Sequence, residues 1–333
     1  MKIVKAGFEV IEEKDQAKLI ERAARVCYKS EDKITEDSAP KTIKSLIKRN
    51  RMATLEHGNM CLEVTAEDYD MLLNYWINMQ QSVDSVGENK VSYLRFSVGS
   101  RMLISGNMRA WIEFINYVSV YFKVYLADIA ANVARLLHIY VTDFVKSTET
   151  TETVWTASRV FTKFKSLTKN ERLIHEPMTV HFICDRGVAM ELIRMRRASF
   201  ANESTRYRNY SNGKHGSELI VIKPMFFNEG TDKYNLWKDS IEVAEIAYMG
   251  LIEQGATAQE ARHILPVALK SEIVVTATMD EWKHIFALKA CDVTGPAHPQ
   301  MHEIMVPLFD KLNKELWPEL SVTNQTRLQL KDI

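Results

Sequence analysis

In "CDRGVAMELIRMRRASFANESTRYRNYS", Cys184–Ser211, five arginines fall within the fifteen positions from Arg194 to Arg208, in a chain of 333 residues whose formal net charge is zero. Asp185 has the short acceptor side chain that starts helices, so the spacing predicts a helix over 186–196 with Arg194 and Arg197 on one face and Arg196 elsewhere. The chain then breaks into a loop of Ser, Asn, Thr and Arg. Guanidinium groups bind phosphate bidentately, and hydroxyls and backbone N–H groups complete such a cradle, so a phosphorylated small molecule is one natural ligand. A solvated charged face with surface salt bridges is the bland alternative, and a nucleic-acid patch is a third. The third wants basic residues spread over several elements with exposed aromatics. The balance of 43 basic and 43 acidic residues provides no general attraction to nucleic acid or anionic membrane.

On either side of this segment the apolar pattern alternates between the two periods. Upstream, "MTVHFIC" sets Met178, Val180 and Phe182 against Thr179 and His181, a strand pattern; downstream, "SELIVIKP" and "EIVVTAT" read as strands. Helical spacing governs "DQAKLIERAARVCY", "APKTIKSLIKRN", "DKYNLWKDSIEVAEIAYMGLIEQG", "TAQEARHILPVALK", "MDEWKHIFALKAC" and "HPQMHEIMVPLFDKLNKELW". "NMCLEVTA" is a strand, with Glu56-His57 just before it. From about Glu67 to Leu173 long helical patterns dominate, with a brief strand-like "VSYLRFSV", and the polar "KSTETTETVWTASR" reads as a mobile surface loop. Strand and helix runs alternate, so the expected class is α/β (α+β).

A composition of 46% hydrophobic and 26% charged residues supplies a large core, enough for one elaborate domain or two ordinary ones. Cys27, Cys61, Cys184 and Cys291 lie far apart with no C-x-x-C pair, which argues against a zinc site and a disulfide framework. Cys184 and Cys291 read as buried small hydrophobes. The opening residues lack the apolar run of a signal peptide, and no stretch approaches about 18 apolar residues, so a cytoplasmic location is expected, with no membrane contact. Neither G-x-G-x-x-G nor a Walker pattern occurs. His298 and His302 are four apart, but Pro299 lies between them and no third ligand is in view; they read as a helix-start pair rather than a metal site. The aromatic and Met stripe from Trp111 to Phe144 reads as core or subunit contact.

The order of residues in the arginine segment resembles the signature of the flavin-dependent thymidylate synthase family, Arg-His-Arg followed after seven residues by serine and then Arg-Tyr. Arg194, Arg196, Ser204, Arg206 and Tyr207 match it at full spacing. "RAARVCY" at 22–28, "LEHGNMCLEV" at 55–64, and "GATAQEARHILPVALK" followed by "WKHIFALK" occur in the family's order, and "LISGNMRAW" looks like a segment of its longer members. The resemblance implies a family core over 1–65 and 175–333, with a mainly helical insertion at 66–174.

Members of that family bind FAD, take reducing equivalents from NADPH, and use 5,10-methylenetetrahydrofolate to methylate dUMP at C5, as homotetramers with shared active sites. By the resemblance, Arg194, Met195 and Arg196 would hold the flavin, with Glu56 and His284 near it, His284 standing where the family often has asparagine. Glu191, Glu203, Ser204, Thr205, Arg206, Arg262 and Lys289 would receive the nucleotide, Arg206 at its phosphate. Carbon 5 of uracil is weakly nucleophilic, and attack through it places negative charge on O4; a preorganised cation there stabilises the enolate. Arg262 and Lys289 are the candidates, and Ser204 would orient and polarise the nucleotide. Met195 replaces the signature's central histidine, Arg51 and Ala53 stand where histidine and a small hydroxyl residue are common, and Met190 replaces another histidine. These departures gather on the flavin and folate side. C5 hydroxymethylation of dUMP or dCMP is therefore one alternative activity, and a non-catalytic nucleotide- or nucleic-acid-binding protein on the same fold is another.

Overall fold

Alternating apolar residues build the strand Pro177–Asp185, and the residue that ends it starts the next helix: the Asp185 carboxylate accepts from the Val188 amide at 2.9 Å. The computed structural model describes residues 1–86, 94–145, 152–154, 159–161, 164–211 and 217–315. Helices and strands mix along the chain as the two apolar periods predict, so the α/β expectation holds. Contacts divide the chain into two compact units, one of Met1–Ile11, Val26–Ser30 and the chain from Thr179 on, the other of Glu12–Arg25 and Glu31–Met178.

The first unit is built on a sheet in the order Ser199–Asn202, Lys270–Thr278, Pro177–Asp185, Gly7–Ile11. Its outer strands run antiparallel to their neighbours, with Phe200 opposite Val275 and Phe8 opposite Phe182. Thr179, expected to face outward, is buried and shares a hydrogen bond of 2.7 Å with Thr276, which satisfies both hydroxyls. The helix Met279–Lys289 buries Trp282 and Phe286, and the Trp282 ring lies 6.4 Å from that of Phe182. The helix Pro299–Glu315 adds Met301, Ile304, Met305, Leu308 and Leu312, a stripe at helical spacing. Each such side chain contributes about 1.5–3 kcal/mol on burial, which makes this layer the anchor of the unit.

The second unit holds an antiparallel sheet in the order Leu94–Val98, Met102–Asn107, Asn59–Val64, Arg159–Phe161. Because Asn59–Val64 is an inner strand of this sheet, residues 31–65 pack with 66–178. The helix Met108–Phe122 buries Trp111, Phe114, Ile115 and Val118, and the Trp111 indole donates to the Met60 carbonyl at 3.2 Å. Phe144 is also in this core, whereas Tyr121 and Tyr140 are exposed.

Four local expectations change. The long helical pattern after Met108 stops at Lys123, whose φ of 57° is left-handed, and a short strand, Val124–Leu126, follows. The expected loop at 146–159 includes the strand Glu152–Val154, which pairs parallel with Val124–Leu126, and it runs into Arg159–Phe161; the rest of it lies outside the described residues. The helix predicted over 186–196 ends at Leu192. Cys184 is buried as expected, but Cys291 is only half-buried.

Candidate functional site

The early end of the Arg186–Leu192 helix sets the geometry of the arginines. The Arg194 amide donates to Glu191 and the Met195 amide to Leu192, so Arg194, Met195, Arg196 and Arg197 sit on consecutive turns rather than on one helical face. Arg194, Arg196 and Arg197 are exposed and have no acidic partner among the described residues, while Arg25, Arg101, Arg109, Arg172 and Arg208 are all paired. This argues against surface salt bridges as the reason for the cluster. Met190 and Ile193, near these arginines in sequence, are exposed, and Met195 is half-buried. The turn therefore presents charge for phosphate oxygens together with apolar surface for a ring, a combination that fits a flavin dinucleotide.

Beyond the turn, Ser199–Asn202 is a strand where sequence suggested loop; it pairs with Lys270–Thr278 and delivers Glu203–Arg206 from the sheet edge. Ser204 is half-buried, and its hydroxyl accepts from the Arg206 amide at 3.3 Å. Arg206 is exposed; its Nε donates to Gln259 at 3.2 Å, and its guanidinium lies 5.4 Å from the centre of the Tyr207 ring. Gln259 belongs to the short helix Ala258–Ala261, opened by a Thr257–Glu260 capping box. Arg262 follows one turn later, exposed and with no acidic partner among the described residues, and Pro266 lies just past the end of this helical stretch.

Glu203 takes a different place from Ser204 and Arg206. Its side chain is 2% exposed, in short contact with Arg208 and 3.1 Å from Lys270, which also contacts Glu272. Glu272 accepts in turn from Lys29 at 2.5 Å and from His181 at 3.0 Å. Burial pushes the Glu272 carboxyl upward, but His181, Lys270 and Lys29 together hold it well below the usual carboxylate range. Of the five arginines, then, Arg208 is internal, stacked 4.5 Å from the Tyr210 ring. Thr205 is buried beside this network in sequence.

Glu191 and Lys289, assigned separately from sequence, meet in an ion pair. Glu191 also lines a cleft of about 250 Å³ with Asp185, Gly187, Val267, His298 and Gln300. Gly187 packs closely there: a Cβ would lie 3.0 Å from the Asp185 carboxylate and 3.2 Å from Val267, so a side chain would require these neighbours to shift by a few tenths of an ångström. Gln300 donates to Asp185 at 2.8 Å, His298 accepts from the Gln300 amide, and His302 is held by Asp292 at 2.7 Å, so both histidines serve the start of their helix. His284 is exposed on Met279–Lys289. Glu56 belongs to the second unit, where Arg109 holds it at 2.8 Å; the adjacent His57 is fully buried, and burial pushes it down to about 3. Sequence reasoning missed Arg109, Gln259, Lys29, Lys270 and Glu272. The signal for the last pair was present: residues two apart on a strand share a face, and Lys270 and Glu272 are so placed.

Residues 128–318, more than half of the chain, match the family described as thymidylate synthase complementing protein. The chain belongs to this family. Among curated relatives, the flavin-dependent thymidylate synthase of Pyrococcus abyssi is 34% identical over 131 residues, 39% of this chain and 52% of the relative. That of Thermococcus kodakarensis is 31% identical over 137 residues, 40% of this chain and 54% of the relative, and that of Geobacter sulfurreducens 27% over 107 residues, 32% and 44%. The chain thus spans about half the length of the curated relatives it matches. Among solved structures, a UMP/dUMP methylase, PolB from Streptomyces cacaoi bound with 5-Br UMP, aligns over 94% of this chain and 92% of its own, with 13% identity and a TM-score of 0.39.

Proposed function

We propose that the protein is a flavoenzyme that uses 5,10-methylenetetrahydrofolate to methylate C5 of dUMP. The observation that carries this reading is the set of exposed arginines, Arg194, Arg196 and Arg262, that have no acidic partner among the described residues, at positions that match a family whose curated relatives are named flavin-dependent thymidylate synthases. FAD supplies the redox chemistry when bound, recharged by NADPH. Arg194 and Arg196 would neutralise its pyrophosphate, Met195 and Met190 would give it an apolar contact in place of imidazole, and His284 would stand near it. Arg206 binds the nucleotide phosphate, steadied by Gln259, while Ser204 and Thr205 orient the sugar and phosphate.

The chemical burden on the protein is the charge that develops on O4 as C5 attacks. Lys289 is already compensated by Glu191, whereas Arg262 has no carboxylate beside it among the described residues, so Arg262 is the principal stabiliser of the enolate and the Lys289–Glu191 pair orients the ring. The family core comprises 1–65 and 175–333, with 66–174 inserted, and the enzyme works in the cytoplasm as a homotetramer.

The experiment is spectroscopic. The purified chain should carry a flavin absorption band that bleaches with NADPH and returns on adding methylenetetrahydrofolate and dUMP, with a product heavier than dUMP by one methylene. A band that no reductant bleaches counts against the proposal. A product from dUMP or dCMP that is heavier by a further oxygen identifies hydroxymethylation instead, the alternative motivated by Met195 and Met190 on the flavin side.

A further inference from the structure

We propose that Cys27-Tyr28-Lys29 is a strap that positions the loop Glu203–Arg206, with Lys29 as its anchor, and so sets how tightly that loop receives a nucleotide phosphate; this rests on the nucleotide reading above. The three residues contact the loop or its support in succession. The Cys27 carbonyl accepts from the Ser204 amide at 3.1 Å, the Tyr28 ring lies 5.7 Å from that of Tyr207, and the Lys29 ammonium reaches Glu272 at 2.5 Å. Lys29 achieves this from a left-handed backbone, φ 48°, just past the helix Gln16–Tyr28, a conformation unfavourable for a residue with a Cβ.

Glu272 relays the anchor to the loop. Its amide donates to the Glu203 carboxylate at 3.2 Å, its carbonyl accepts from the Glu203 amide at 2.8 Å, and Lys270 bridges the two carboxylates. Only 12% of the Lys29 side chain and 14% of that of Glu272 are exposed, so the contact is shielded from solvent screening. Arg208 and Lys270 by themselves balance Glu203 and Glu272. Lys29 is therefore not needed to neutralise the buried acids, and its removal leaves no buried carboxylate uncompensated.

The test uses the full chain with Lys29→Met, Lys29→Arg and Tyr28→Ala, measuring amide hydrogen exchange across 203–208 without ligand, and calorimetric binding of dUMP and of deoxyuridine, which lacks the phosphate. Lys29→Met should speed exchange of the Ser204 amide and weaken dUMP by about tenfold, the loss for one charge-assisted contact, with deoxyuridine unaffected. Lys29→Arg should restore both. Tyr28→Ala, at a partly exposed ring, should weaken dUMP about threefold and decides the matter should Lys29→Met not fold. Exchange and dUMP affinity unchanged in these variants, or equal weakening of dUMP and deoxyuridine, overturns the strap while the nucleotide reading stands. An unaltered chain that binds no dUMP overturns the nucleotide reading, and the strap's role in binding falls with it.

Discussion

Arg206 and Arg208 differ by two positions in sequence and by everything in environment. Arg206 is exposed and lightly held by Gln259, so its replacement should leave the fold intact while removing a charge-assisted phosphate contact. Arg206→Ala is expected to weaken dUMP binding by about 1.5–3 kcal/mol with an unchanged urea midpoint; calorimetry showing equal affinity would remove Arg206 from the phosphate site. Glu203 presents the opposite case, since its carboxylate lies between two buried cations, Arg208 and Lys270. Glu203→Gln keeps the shape and loses the charge, and breaking such a pair costs about 3–5 kcal/mol. Urea denaturation should register that loss, and a midpoint within error of the unaltered chain would mean the pair is not buried as described.

At the scale of elements, the Arg186–Leu192 helix shows what local sequence can and cannot specify. Its start was legible because Asp185 is a short acceptor directly after an alternating strand. Its end was not, since Arg194, Met195 and Arg196 are good helix formers and the turn that stops them is fixed by surrounding structure. The strand Ser199–Asn202 was invisible for a related reason: its four residues carry no strand pattern, and its hydrogen bonds come from Lys270–Thr278, far along the chain. The arginine cluster could be read from spacing, but the withdrawal of Arg208 from it could not: its partners Glu203 and Tyr210 are near in sequence, and what buries them is the pairing of this segment with the remote strand Lys270–Thr278. Asp185 joins the two levels: it caps Val188 at 2.9 Å and receives Gln300 at 2.8 Å. Asp185→Ala should cost about 1–2 kcal/mol through the cap alone, read as a lowered melting temperature, and the loosened helix start should weaken nucleotide binding through Glu191. A loss of binding without loss of stability would place Asp185 in direct contact with ligand instead.

Across the molecule, the two compact units carry buried titratable groups with separate pH windows. In one unit His57 is neutral and held down to about 3 by burial, so the unfolded chain, with an ordinary imidazole near pH 6.5, binds a proton that the folded chain refuses. Proton uptake by the unfolded state means that stability falls with falling pH between about 6.5 and about 3, by up to ~1.4 kcal/mol per pH unit. In the other unit Glu272 is held below the usual carboxylate range by His181, Lys270 and Lys29 against the cost of burial. Its contribution is complete above the ordinary carboxylate range and is lost only as pH falls through and below it. Near pH 5 the His57 unit should therefore already be weakened by about 2 kcal/mol while the Glu272 network is intact. Urea unfolding followed by hydrogen exchange should separate into two steps as pH drops from 7 to 5, with amides of Asn59–Val64 and Met102–Asn107 released before those of Lys270–Thr278. Replacing His57 with glutamine, which does not titrate, should flatten the pH dependence of the first step and leave the second in place. A single cooperative step at both pH values would show that the units unfold together and that His57 burial is not felt locally.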